Sequence, residues 1–390
     1  MGLLKVALWV FFGLVLIAAL IFFFFAGTYV DQQRNRSHLD SLPQISERAR
    51  SLHPRLRIAD WHSDNLLWDR DPLQRIEYGH VDIPRLIEGN VAIQVFDAVI
   101  KTPRGQNYHR TEADTDNITL LAMANRWPPR TWFSLFERAT YQSRLLHRAA
   151  RHSDGRLTLI TSRSGLTQFL DARRSDPQQV GGLLSIEGLH ALEGKLENLD
   201  KLYEEGYRIM GLVHFFDNRI GGSSSGVEKG GLTDFGKKVV RRMEEKKITI
   251  DLAHASPALV RDVLEMATRP VIVSHTGVKG THDSPRNLSD DEVRAIAENG
   301  GVLGIGFWEG AVGGAEPLHI ARAMRYTAEL VGIDHVCLGS DFDGSVYTWF
   351  DASQMIVLTD ALLEAGFNEM EIRKIMGENQ IRFLSGNLPE

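Results

Sequence analysis

The chain has one cysteine, Cys337, in 390 residues. No intramolecular disulfide can form, and a lone thiol inside HVCLGSD reads as a small apolar filler of a strand. Lack of disulfides suits the cytosol, yet a bacterial envelope protein also manages without them, so the compartment stays open. There is no excess of positive charge. Lys and Arg number 44 against 50 Asp and Glu, a net charge of −6, which argues against nucleic acid as the main partner. There is no internal repeat, which excludes a solenoid or propeller. Low complexity is confined to GGSSSG at 221–226 and the glycine-rich GAVGGA at 310–315.

What is present is ordinary globular material, 43% hydrophobic and 24% charged. Such a length suggests two or three domains, but barrels commonly hold this much chain in one. The N-terminus stands apart. Positions 6–30 carry no charge and include the run Phe22 to Phe25. About 20 apolar residues suffice to cross a bilayer. A cleaved signal peptide would explain the same run. Its length, and the poor cleavage signal in Ala26-Gly27-Thr28, favour a membrane anchor over residues 1–30. Lys5 lies on one side of it and Arg34 and Arg36 on the other, so flanking charge does not fix the orientation. The short N-terminal tail favours a single-pass protein with its main domain on the extracytoplasmic, periplasmic side. Residues 31–55 are polar and read as a stalk with a first amphipathic helix, leaving 56–390 as the main domain.

From there the chain alternates. Strand-like runs occur at Arg57–Trp61, Val91–Phe96, Gly182–Ile186, Tyr207–Val213, Lys247–Leu252, Pro270–Ser274, Gly301–Phe307 and His335–Gly339. Helix-like stretches such as FGKKVVRRMEEKK and SDDEVRAIAENG separate the later ones. Thr233 is placed to cap the first of these, and Ser289 with Glu292 forms a capping-box pattern on the second. Eight strands alternating with helices predict an α/β fold, a parallel (β/α)8 barrel. Residues 97–155 exceed a simple crossover and read as an excursion, to which the weaker LTLITS (157–162) is assigned.

Barrels of this kind build sites from strand ends. His62 and Asp64 form an H-x-D pair after the first strand, and residues i and i+2 of an extended chain share a face. His254 and His275 end consecutive strands, and with His62 they offer imidazoles suited to zinc. Glu187 follows LLSI, where a buried carboxylate is costly unless paired or metal-bound. Asp341 follows the last strand and could bind metal or move a proton, with Asp343 held second. His214 could stabilise an oxyanion, and Arg286 could clamp a carboxylate. Taken singly, each has a bland explanation as a cap, a rim salt bridge or a satisfied histidine. Together they point to a metal-dependent hydrolase.

At these residues the sequence resembles the membrane dipeptidase (renal dipeptidase) family. The matching stretches include DWHSDN, SIEGLHAL, GLVHFFDNRIGG, GLTDFGKKVVRRMEEKKITIDLAHAS, PVIVSHTGVKGTHDSPRN and HVCLGSDFDG, spanning Arg57 to Leu384. The resemblance implies a barrel of the amidohydrolase kind and two zinc ions. His62 and Asp64 would hold one ion, His254 and His275 the other, and Glu187 would bridge both. His214, Arg286 and Asp341 match substrate-binding positions, Asp341 also as the proton carrier. It implies a dipeptidase that cleaves dipeptides with a free C-terminal carboxylate by a metal-bridging hydroxide. The animal members' disulfide cysteines are missing, and so is a hydrophobic C-terminal tail, so a lipid anchor at that end is not expected. HFFDNRIGGSSSG looks like the bacterial branch. The expected partners are a small peptide and, through the N-terminal helix, a membrane; a homodimer stays open. Alternatives on the same barrel are hydrolysis of N-acyl amino acids, cyclic amides or lactones, or a tethered binding protein that has lost catalysis.

Overall fold

The computed structural model describes residues 2–38 and 40–390; Met1 and Leu39, in the expected anchor and stalk, lie outside the described residues. Eight parallel strands close on themselves. They are β1 (Ile58–Asp60), β2 (Val91–Val99), β3 (Val180–Glu187), β4 (Tyr207–Gly211), β5 (Thr249–Asp251), β6 (Ile272–Thr276), β7 (Val302–Ile305) and β8 (Val336–Leu338). Each pairs with its neighbours in chain order, and β8 closes on β1 through Leu338 opposite Asp60. The eight predicted runs are all present, with ends shifted by a few residues. Largest is the extension of the second run from Phe96 to Val99, because β2 and β3 stay in register from Ile93–Gly181 to Val99–Glu187. That register carries Glu187 to the rim as the last residue of β3.

The short run Leu157–Leu159 is a true strand outside the barrel. It pairs with Val180–Gly182, on the flank of β3 that β4 occupies from Leu184 onward. It therefore satisfies backbone groups that would otherwise lie open at the start of β3. The excursion after β2 carries helices at Asn117–Ala124, Arg130–Phe133 and Leu135–His152.

Local signals match local structure. The Thr233 hydroxyl accepts from the amide of Gly236 at the head of helix Asp234–Glu245, and Ser289 and Glu292 form both halves of a capping box. Val95, Leu183, Ile209, Ile272, Val302 and Cys337, from six different strands, share one buried cluster with Phe383 and Leu384 of the C-terminal helix Asn379–Asn387. Contributions from so many strands place this cluster in the barrel interior, closed at the end away from the site. Burial pushes the Cys337 thiol up to about 12, so the lone cysteine is inert filler.

The N-terminal helix runs Gly2–Arg34, 33 residues or roughly 50 Å at 1.5 Å per residue. It is long and apolar enough to cross a membrane, and its most apolar window is unburied; a signal sequence meets the same description. The end of this helix and the residues that follow lie on the barrel domain. Asp31 and Asn35 are buried, Arg36–Ser37 pairs with Tyr347–Thr348, and helix Glu47–Leu52 buries Ala49 and Leu52.

Candidate metal centre and active-site cavity

Eight of the nine side chains singled out from the sequence converge at the C-terminal rim of the barrel, Asp343 being the exception. His62 and Asp64 leave β1 on one face, as the i, i+2 spacing requires, with His62 Nε2 3.2 Å from Asp64 Oδ1. The chain stays extended there because the Ser63 amide donates to Val95 O and the Asp97 amide to Ser63 O. Glu187 sits at the centre. Its Oε1 lies 3.1 Å from His254 Nε2, 3.4 Å from His275 Nε2 and 3.8 Å from His62 Nε2, and its Oε2 lies 3.0 Å from His214 Nε2. His254 and His275 approach to 3.0 Å between their Nε2 atoms. Asp341 Oδ1 is 3.7 Å from His62 Nε2.

The backbone that delivers these groups is specialised. Gly188, directly after Glu187, has φ +89°, a conformation that L side chains rarely adopt, so glycine is needed where the chain turns off the rim. His254 and Asp341 themselves hold left-handed φ values of 63° and 60°. Such conformations cost of order 1 kcal/mol or more and persist where the surroundings fix them. Here the GGSSSG loop does part of that fixing. The Ser224 amide donates to His254 O at 2.7 Å, and the Ser223 hydroxyl donates to His214 O.

The ligand atoms form three overlapping groups: His62, Glu187 and His275; Glu187, His214 and His254; and His62, Asp64 and Asp341. In each, the atoms lie within 4.8 Å of one another. Glu187 belongs to two of them. The grouping differs from the two-and-two division the resemblance implies, since His62 clusters with His275 and His214 with His254.

The donor set fits metal. His62 Nδ1 and Nε2, Asp64 Oδ1, His214 Nδ1 and His254 Nδ1 are buried without a hydrogen bond. Of these, His62 Nε2 and Asp64 Oδ1 face the centre, where they join the Nε2 atoms of His214, His254 and His275 around Glu187, a crowding of imidazole and carboxylate donors that an ion would satisfy. Asp64, Glu187 and Asp341 lie together, and Arg286 is the buried cation facing them. Burial, reinforced by Asp64 and Glu187, pushes the Asp341 carboxyl well above the usual carboxylate range against the pull of His62 and Arg286. Burial opposes ionisation of Glu187 too, but His214 and His254 hold it well below the ordinary value. Without metal, protons shared among imidazoles and carboxylates balance this charge; bound cations would displace them. Imidazole and carboxylate donors suit zinc and its neighbours.

The site lines a cavity of about 910 Å³, shared by Arg286, Tyr108 and Trp308. Arg286 is buried and donates to His275 O at 2.9 Å. Asp343 takes no place in this cavity. Burial would raise its carboxyl, but Arg70 and His80 hold it below the usual range. It pairs with Arg70 at 2.9 Å and accepts from the amides of His80 and Val81. Its task is to pin the loop that carries Asp341.

A family model described as membrane dipeptidase (peptidase family M19) matches residues 46–387. The chain belongs to that family. It is a metallo-dipeptidase by class, with a (β/α)8 barrel. Among curated relatives it is 27% identical over 337 residues to dipeptidase verJ of Clonostachys rogersoniana, covering 84% of this chain and 80% of that one. It is 26% identical over 351 residues to dipeptidase aclJ of Aspergillus oryzae, covering 85% and 78%. Among solved structures, a metallo peptidase from Rhodobacter sphaeroides liganded with a phosphinate mimic of the dipeptide L-Ala-D-Ala superposes with TM-score 0.68 at 23% identity, covering 85% of this chain and 99% of that one. The probable dipeptidase PvdM from Pseudomonas aeruginosa gives 0.72 at 20%, covering 88% and 98%.

The dipeptidase site also has a supporting layer that sequence reasoning missed. Asp97 Oδ2 is 3.7 Å from His62 Nδ1 and accepts from the Ser185 hydroxyl. Asp60 accepts from the Ser340 amide at 2.8 Å, and the Ser340 hydroxyl also lies 2.9 Å from His62 O. Asp251 accepts from the amides of Ala253 and Ser274, and Ser274 Oγ lies 2.9 Å from His275 Nδ1. An Asp inside an apolar strand such as VAIQVFDAV was the available signal. Carboxylates behind metal-bound histidines fix ring orientation and basicity. Asp97→Asn is expected to weaken metal binding by about 10–100-fold with the fold intact. Titration with a competing chelator measures it, and unchanged affinity would leave Asp97 a packing residue.

Proposed function

We propose that this protein is a zinc-dependent dipeptidase, held by its N-terminal helix in a membrane with the barrel on the extracytoplasmic side. It hydrolyses the peptide bond of dipeptides that carry a free C-terminal carboxylate. The convergence of four histidines on Glu187, in one cavity with Asp341 and Arg286, supports this reading most directly. His62 and Asp64 would hold one ion and His254 and His275 a second, with Glu187 common to both. When bound, such a pair supplies Lewis acidity and a water acidified to near-neutral pH.

The chain's own groups do the rest. Arg286 presents a guanidinium inside the cavity, where a two-pronged pairing with the terminal carboxylate would be strong because water is largely excluded. That contact selects short peptides whose C-terminus lies next to the scissile bond. His214, beside Glu187, would donate toward the carbonyl oxygen as it gains charge. Asp341, facing the same volume, would take a proton from the attacking water and pass it to the leaving amine.

Purified full-length protein, assayed for metal and on a panel of dipeptides, N-acyl amino acids, cyclic amides and lactones, tests the reading. Dipeptide hydrolysis that is lost with a chelator and restored by zinc is expected. Full metal content with turnover confined to another class would replace the dipeptidase reading. Arg286→Lys keeps the charge but loses the fork, and should raise KM by about tenfold or more with a smaller change in kcat. An unchanged KM would remove Arg286 from carboxylate recognition.

A further inference from the structure

The catalytic cavity has a wall that the barrel does not supply. Phe22, Ala26, Val30 and Arg34 of the N-terminal helix line it together with Glu187 and Arg286. These four positions recur every four residues, so a single stripe of the helix faces the cavity. Beside it, packed against Phe22–Ala26, the helix Asn117–Ala124 adds Ile118 and Leu121 to the same lining. The cavity is thus histidine and carboxylate around Glu187, while these two helices give it an apolar stretch of Phe22, Ala26, Val30, Ile118 and Leu121 that ends at Arg34.

The wall is built rather than laid on. Gly27 is buried, and a Cβ there would lie 1.8 Å from Asn125 Oδ1, so the helix backbone lies directly against the Asn125 side chain of the domain. Asp31 pairs with Arg70 at 3.0 Å, and Arg70 pairs with Asp343, all three nearly inaccessible to solvent. Asn35 donates to Asp31 at 2.8 Å and accepts from the Ser345 amide at 3.0 Å. These contacts fasten the helix to the loop that carries Asp341. The helix departs from α geometry over Phe22–Ala26, where it becomes a π-turn; such turns are frequent at functional sites. Gly2–Ile21, 20 residues long, is by itself about 30 Å and can span the hydrocarbon core. With Gly2–Ile21 across a bilayer, the stripe would start next to its surface.

We infer that the stripe Phe22–Arg34 is a specificity-determining part of the substrate site, and that it accepts a dipeptide bearing a large apolar side chain. This rests on the dipeptidase reading. A cavity of about 910 Å³ is at the upper end for sites that hold drug-sized molecules. A dipeptide of two small residues bound at Glu187 and Arg286 would leave the apolar stretch wet. A large apolar side chain displaces that water and gains from contact with both helices.

The test uses full-length protein in detergent, with metal content and thermal midpoint recorded for each variant. Leu-Phe and Ala-Ala serve as probes. Val30→Asp puts a carboxylate in the apolar wall, away from the metal ligands. It should lower kcat/KM for Leu-Phe by about tenfold or more while Ala-Ala changes by less than about threefold. Equal loss on both probes, or loss on neither, overturns the inference. Should Val30→Asp fail to fold, Val30→Thr carries the same comparison at smaller amplitude. If the metal-loaded wild type hydrolyses neither probe, the dipeptidase reading falls, and calorimetric binding decides the wall separately. Tighter binding of Leu-Phe than Ala-Ala, abolished by the variant, supports the wall, and equal binding overturns it.

Discussion

Glu187→Gln is expected to lower kcat/KM for a dipeptide by at least about 10³-fold and to release metal. The substitution keeps volume and removes one negative charge. Glu187 is the one side chain whose two oxygens reach His62, His214, His254 and His275 at 3.0–3.8 Å. A neutral amide lacks the charge to balance bound metal, and its NH2 group would point a donor at atoms that need an acceptor. No neighbouring carboxylate takes over, because Asp64 and Asp341 lie on the His62 side. Metal analysis and dipeptide turnover on one sample check the prediction. Retained metal together with retained turnover would remove Glu187 from the bridging position.

Asp341→Asn is expected to lower kcat by about 10²–10⁴-fold, the usual worth of a positioned proton carrier. Metal content should hold, since Glu187 and the histidines remain. The pH profile separates this role from a structural one. Protonated Asp341 cannot accept a proton, so wild-type kcat should fall as pH drops through the Asp341 pKa. Burial and the nearby Asp64 and Glu187 set that pKa high in the metal-free site, while His62 and Arg286 pull it down, and bound cations would pull it down further. In Asp341→Asn the residual rate should lose that acid limb. An acid limb that survives the substitution would assign the titration to another group. A variant with wild-type kcat would take Asp341 out of the proton path.

Asp343 shows where the residue pattern ran out. Two aspartates separated by one residue, in SDFDG, differ to a reader of the sequence only in distance from the strand end, which favours Asp341. Tertiary contacts divide the roles. Arg70 and the amides of His80 and Val81, distant in the chain, claim Asp343 for the loop, while Asp341 faces the cavity from a left-handed backbone. Asp97 was hidden for a related reason. It lies inside β2, and only the register with β3 brings Ser185 to it and turns it toward His62.

The barrel itself was legible because its signals are local. Apolar runs of strand length, capping residues such as Thr233 and Ser289, and ligands at run ends each depend on neighbours a few positions away. LTLITS needed more, since a strand beside the barrel and one within it have the same apolar pattern; the pairing partner decides.

The N-terminal helix marks the same boundary at larger scale. Its sequence by itself determined an apolar segment long enough to span a bilayer, because length and lack of charge are properties of the segment alone. The eight candidate side chains were also legible there, most of them by residue type at strand ends and their expected roles by resemblance to the family. Only the tertiary structure decided that they meet around Glu187, that Asp343 is spent on Arg70 and the His80 loop, and that Phe22, Ala26, Val30 and Arg34 wall the same space. Those are distances between segments far apart in the chain, set by closure of the barrel and by the buried Asp31–Arg70–Asp343 pairing, and local sequence carries no record of them.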